Sequence, residues 1–290
     1  MDDESDSLVD NHVRGNNVLQ QRSNNMTKFS KLLIAVALVA LAAGSVFAAG
    51  VPNSATVITR IFNDDPFSNL TVVNNYPSLV SFTDEVVPPA GWANLHAWRF
   101  SQDGANPMQF ANNDGFAIAA SVRVSGTGDG EAGIQITPWW SEADGRFNIR
   151  TPDGEVACFG GRLPFYSFTA QQGKSYVKGT WVHLTMIYRP NQDMDASHPA
   201  TIEYIYDDGI PVSSGQLAFD MGNPSEDPPH GLWGILNFAH AGGYQQFNGM
   251  MNQPAGNVMT TEFCSFAFTD LGSVVATENS SFGAVKALFR

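Results

Sequence analysis

Through the middle of this chain, apolar and polar residues alternate at nearly every step. Residues 116–124 put Phe116, Ile118, Ala120, Val122 and Val124 on one side, with Ser121 and Arg123 on the other. Residues 133–137 set Ile134 and Ile136 against Gln135 and Thr137, and residues 146–150 set Phe147 and Ile149 against Arg146, Asn148 and Arg150. In 181–188, Val182, Leu184, Met186 and Tyr188 oppose Trp181, His183, Thr185 and Ile187. Ile202, Tyr204 and Tyr206 repeat the pattern in 201–206, and a late apolar run covers 263–269. A period of two places alternate side chains on opposite faces of an extended strand, and β-branched and aromatic residues suit such a surface. Many short half-buried strands need a second layer to cover them, so the expected fold is an all-β antiparallel two-sheet sandwich.

The punctuation agrees. Asp-Gly occurs six times, among them Asp114-Gly115, Asp144-Gly145, Asp153-Gly154 and Asp208-Gly209. Each is a turn signal, because glycine accepts positive φ. None sits in the spaced acidic pattern of a calcium-binding hand. Helical signal is confined to a short run at 282–290, inside a C-terminal tail of residues 271–290. No long linker or repeat divides the chain, so residues 49–270 read as one sandwich domain.

The amino-terminal part reads differently. Residues 1–25 form an acidic, disordered extension. Met26 then opens a segment with Lys28 and Lys31, an apolar run at 32–43 and small residues ending at Ala48. Residues 26–48 therefore read as a signal peptide cut after Ala48, or as an anchor helix, since 32–51 carry no charge and are long enough to span a bilayer. The expected place is outside the cell or on its surface. Cutting removes five acids and four bases from a net charge of −13, leaving −12. Such acidity excludes nucleic acid and anionic membrane as partners; contact with a membrane would come only through the anchor. In an exported chain, Cys158 and Cys264 can form one disulfide or stay as two thiols on separate strands, and the sequence leaves both open.

Chemistry-bearing residues concentrate in a few places. Phe238–Phe247 reads FAHAGGYQQF, an active-site strand or the edge of a sheet. The adjacent Trp139 and Trp140 point to opposite faces of an extended chain, so one is free for a surface. Arg162 and Tyr166 lie in a proline-broken segment, and Trp233 and Tyr244 add a second polar–aromatic group with His240 and Gln246. Aromatic rings beside hydrogen-bonding side chains suit the apolar faces and hydroxyls of sugars. The histidines are scattered, with no His-x-x-x-His pair, so no metal site is expected. His183 reads as a satisfied sheet residue.

The strand order, carried by 116–124, by Gly179-Thr180-Trp181 leading into 182–188, by 201–209 and by 260–270, resembles the concanavalin-like jelly roll of lectins, laminin-G-like modules and polysaccharide enzymes. Ala241-Gly242-Gly243-Tyr244-Gln245-Gln246 resembles a late strand of alginate-lyase-type jelly rolls. That resemblance implies Tyr244 as acid/base, with Gln246 as a polar contact on the same face. The match is partial. The family's Gln-Ile-His strand is here Gln135-Ile136-Thr137, and no counterpart of its Arg-x-Glu-Leu-Arg strand precedes Gln135. His240 is left as the substitute imidazole. The Glu-x-Asp-x-x-Glu strand of jelly-roll glucanases ends at Phe147 instead of a second glutamate, which removes the partner carboxylate hydrolysis needs. The resemblance also brings in structural calcium, with Asp207 and Asp208 as the candidate pair, although they read first as a solvated turn; no other cofactor is expected. The sequence thus points to an exported sandwich that binds a glycan or cell-surface polymer, with a polysaccharide lyase or hydrolase, or a structural envelope protein, as alternatives.

Overall fold

The computed structural model describes residues 51–137, 144–160, 163–219, 233–248 and 253–274. The signal or anchor segment, Trp139, Trp140, Arg162 and the C-terminal run at 282–290 lie outside the described residues. Among those described, no helix is long and apolar enough to cross a membrane.

The strands are β1 (Ser54–Asn63), β2 (Asn69–Asn75), β3 (Leu79–Glu85), β4 (Ala93–Ser101), β5 (Asp114–Ser125), β6 (Gly130–Thr137), β7 (Arg146–Arg150), β8 (Val156–Phe159), β9 (Tyr166–Ser167), β10 (Val182–Arg189), β11 (Thr201–Asp207), β12 (Val212–Ala218), β13 (His240–Asn248) and β14 (Val258–Ser273). Among the described residues one short helix, α1 (Phe168–Gln172), follows β9. They form two seven-stranded antiparallel sheets. The first runs β1-β4-β13-β6-β7-β8-β9 and the second β12-β11-β10-β5-β14-β3-β2. The expected two-layer sandwich is the fold observed.

Alternation explains how the layers meet. Phe116, Ile118, Ala120, Val122 and Val124 of β5 are buried, as are Leu184, Met186 and Tyr188 of β10 and Ile202, Tyr204 and Tyr206 of β11. Ile134 and Ile136 of β6 and Phe147 and Ile149 of β7 supply the opposing layer. The two sheets touch ring to ring: Trp98 of β4 lies 5.7 Å from Phe263 of β14, and Phe147 lies 5.6 Å from Tyr204. Such aromatic pairs bury large areas and add edge-to-face attraction.

Where the alternation slips, the backbone absorbs the slip. Phe263, Phe266 and Phe268 are spaced three and then two apart, which a regular strand cannot keep on one face. The register of β14 against β5 shifts between Cys264 and Ala267, and Ser265 takes φ 51°. Phe266 is thereby returned to Trp98, 5.0 Å away. Of the six Asp-Gly steps, those at Gly104, Gly145, Gly154 and Gly209 have positive φ. The other two open β5 and β6 instead.

The cysteines do not form a bridge. Cys158 points into the core from β8, while Cys264, one residue past the buried Phe263, points outward from β14 in the other sheet. Both are free thiols. Opposed Cβ directions on separate sheets exclude the bond, so of the two alternatives the fold realises separate thiols. Tyr166 is likewise a packing residue, 4.8 Å from Phe168, with its hydroxyl held by Gln172 at 2.5 Å. Its ring belongs to the core between the sheets and its hydroxyl is already bonded.

Candidate functional site

The stretch FAHAGGYQQF is not an edge. β13 lies inside the first sheet, between β4 and β6. Its register decides which residues share its outer face. Gly242 stands opposite Arg99 of β4 and Gln135 of β6, and Gln135 stands opposite Arg146 of β7. Tyr244 stands opposite Ala97 and Gly133, and Gly133 opposite Asn148. Gln246 stands opposite Leu95 and Glu131. Three rows about 7 Å apart, two residues per step, therefore cross four strands on one face.

Two glycines shape this face. A Cβ on Gly242 would land on the Trp98 carbonyl, and one on Gly133 on the Phe147 carbonyl. Only glycine permits backbones to approach so closely. The missing side chains also leave room above β6 and β13. Across Gly242, Arg99 reaches Gln135: with the Gln135 amide oxygen turned to it, that oxygen accepts from both Arg99 Nη1 and Nη2, the latter at 2.9 Å. Toward β7, the Arg146 guanidinium lies 4.8 Å from the centre of the Tyr244 ring and pairs with Glu131 at 3.1 Å. Arg150 is committed to Asp153 and Glu155.

The electrostatics are those of a covered polar face. Tyr244 is fully buried, and burial pushes its phenol well above the usual range, although the Arg146 charge opposes this. Its hydroxyl has no well-aligned hydrogen bond, and the Arg146 guanidinium is the donor that comes near it. In the same row, Asn148 is fully buried with neither its amide oxygen nor its nitrogen bonded, and in the row containing His240, Thr137 Oγ1 is also unpartnered. Ile61, from β1, packs on Tyr244, Leu95 and Ala97.

Of the residues singled out from sequence, Tyr244 and Gln246 share this face in adjacent rows. His240 shares it too, but four residues from Tyr244, about 13 Å along the strand. Its Nδ1 is bonded to the Met108 carbonyl at 2.9 Å. Trp233 is elsewhere, its carbonyl accepting from Ala200 N beside β11 of the second sheet. His183 bonds Ser121 at 3.0 Å on the second sheet's outer face, and burial lowers its pKa. Asp208 pairs with Lys174 at 2.7 Å, while Asp207 caps Gly209 N. Among the described residues no group of three or more His, Cys, Asp or Glu could hold a metal ion.

Sequence reasoning missed Arg99. An arginine does precede Gln135 on this face, although β4 does not carry the Arg-x-Glu-Leu-Arg motif. All nine residues of β4 are buried, so its sequence shows no alternation to mark Arg99 as facing outward. The usable signal was an arginine within an otherwise apolar Ala97-Trp98-Arg99-Phe100 run.

The class these observations define is an all-β antiparallel two-sheet sandwich with a polar face on one sheet. Solved structures similar to it include an alginate lyase of polysaccharide lyase family 7, with TM-score 0.39 and 12% identity over 76% of this chain and 99% of that one. A basic winged bean lectin in complex with Tn-antigen gives 0.41 and 12%, over 74% and 97%. A family 14 alginate lyase from Aplysia kurodai gives 0.36 and 11%, over 69% and 87%. No residue's role is carried across at such values. No family model matches the chain, and no curated protein matches it.

Proposed function

We propose that this protein is an exported carbohydrate-binding sandwich whose ligand face is the outer face of β4, β13, β6 and β7. One observation carries the reading: Tyr244 and Asn148, in one row across Gly133, present a hydroxyl and a whole amide that are buried and unbonded. Buried polar atoms are nearly always satisfied, and each left bare costs stability. A sugar, with hydroxyls that both donate and accept, satisfies such a set. Arg99 and Arg146 add positive charge for an acidic substituent. The segment at 26–48 supports export, to the medium or the cell surface. Retention of the full chain on immobilised neutral and uronic-acid polysaccharides tests this, with Tyr244→Phe and Asn148→Ala expected to weaken retention at least tenfold. No retention on any of them would sink it.

A polysaccharide lyase is the second reading, favoured by Tyr244, Gln135 and two arginines on one face. Its weakness is the base. The raised phenol suits an acid, and the His240 imidazole stands two rows from Tyr244. Ultraviolet absorbance of an unsaturated product, released from a uronate polymer and lost in Tyr244→Phe, would establish it.

A further inference from the structure

We propose that the β1 bulge is a strap over the outer face of the first sheet, released when His96 takes up a proton. Its use in ligand access rests on the carbohydrate reading above; its movement does not.

β1 pairs regularly with β4 up to Ile58 opposite Ala97 and resumes at Phe62 opposite Leu95. Three residues, Thr59, Arg60 and Ile61, thus face His96 alone. The surplus loops out, and Arg60 takes φ 59°, a left-handed conformation unfavourable for a residue with a Cβ. Three contacts hold it there. The Arg60 guanidinium donates to Asn63 Oδ1, to Ser68 Oγ and to the carbonyls of Asp65 and Ser68, at 2.8–3.0 Å. The Arg60 backbone N–H donates to His96 Nδ1 at 3.0 Å. Ile61 rests on Tyr244, Leu95 and Ala97, so the bulge lies on the proposed ligand face.

The middle contact fixes the protonation state of the ring. An N–H can only donate, so Nδ1 carries no proton. The ring proton is on Nε2, 3.1 Å from Asp84 Oδ2. His96 is fully buried and neutral, with both nitrogens in use. A second proton has to enter at Nδ1, where two donors would then face each other. The Arg60 hydrogen bond is lost and the bulge is pushed away.

The surroundings permit the charge. Asp84 from β3 touches the ring, and its carboxylate stabilises an imidazolium. Phe82, also from β3, stacks on it at 5.8 Å. β13 contributes uncharged Gln245 as register partner, and β14 contributes Thr261, paired with Phe82. Asp65 is reached only through Asn94, whose amide bonds both the Asp65 carbonyl and Asp84. The Arg60 charge is turned outward onto the 63–68 turn. The charge is stabilised from the Asp84 end of the ring, while the proton that brings it, on Nδ1, is incompatible with the bulge at the other end. Falling pH therefore releases the strap and lifts Ile61 from Tyr244.

The test is hydrogen exchange and methyl NMR on the full chain, between about pH 7.5 and pH 5, where histidine ordinarily titrates. Protection of the Arg60 and Ile61 amides, corrected for intrinsic exchange, should fall on the order of tenfold or more. The Ile61 methyl signals should shift with the same midpoint as the His96 ring. His96→Gln keeps an acceptor for Arg60 N–H but cannot titrate, so protection should persist at both ends. Should that variant fail to fold, Asp84→Asn serves: losing the carboxylate should move the midpoint to lower pH. Unchanged protection while His96 titrates overturns the strap. So does an equal fall in His96→Gln, or global unfolding before His96 titrates. Polysaccharide retention, followed separately, keeps the two readings apart: a strap that opens without any retention stands, while the ligand face falls.

Discussion

The guanidinium of Arg146 stacks over the ring of Tyr244, 4.8 Å from its centre, although their strands are separated by β6. Gly133, between them in register, makes this reach feasible, since any side chain there would stand in its path. A largely desolvated cation over an aromatic face contributes roughly 2 kcal/mol. The pair thus holds the tyrosine in place while leaving its hydroxyl bare.

That bare hydroxyl makes Tyr244→Phe an informative substitution. Removing a buried, unbonded polar atom should leave stability unchanged or raise it by about 1 kcal/mol. Urea denaturation measures this. A loss of 2 kcal/mol or more, by the same scale, would show that the hydroxyl has a structural partner.

Gly133→Ala should be severe for so small a change. The added methyl meets the Phe147 backbone carbonyl, which cannot rotate away. Strain of this kind costs about 3 kcal/mol or more. Thermal unfolding should show a large drop, whereas Gly209→Ala, at a turn with open space but positive φ, should lose only about 1 kcal/mol.

The thiols should behave independently. Burial raises the Cys158 thiol well above its usual range, and a buried thiol does not react. A thiol reagent should label one cysteine, Cys264, in the native protein and both after unfolding. Reductant should leave the melting temperature unchanged. A shift on reduction would mean a bridge exists.

Asp84 should set the acid limb of stability. Burial alone would raise its pKa, but hydrogen bonds from His96, Ser68 and Asn94 outweigh it and lower the value. The folded carboxyl therefore stays ionised to lower pH than the unfolded one. Its contribution is complete above the ordinary carboxylate range near pH 4 and fades as pH falls through the folded value. Asp84→Asn should cost about 2–3 kcal/mol at neutral pH and lose less on acidification. Denaturation series at several pH values check both; an acid limb as steep as that of the parent would count against it.

Several strands were legible because each has one wet and one dry face. β5, β10 and β11 are of this kind, and the residues the alternation marks are buried. β4 was not legible, since it is covered on both sides, and Arg99 went unnoticed with it. The β1 bulge was hidden for another reason. Nothing in Thr59-Arg60-Ile61 announces extra length until β4 lies alongside to show that His96 faces all three.

The sequence by itself determined the layer type and which side of most strands faces inward, because alternation is a local property of consecutive residues. It also showed Gly242, Tyr244 and Gln246 on one strand face. Only the tertiary structure decided that β13 lies between β4 and β6, and so that Arg99, Gln135, Arg146, Asn148 and Tyr244 meet. Strand neighbours are chosen by how two whole sheets bury their apolar faces together, and no short stretch of chain carries that information.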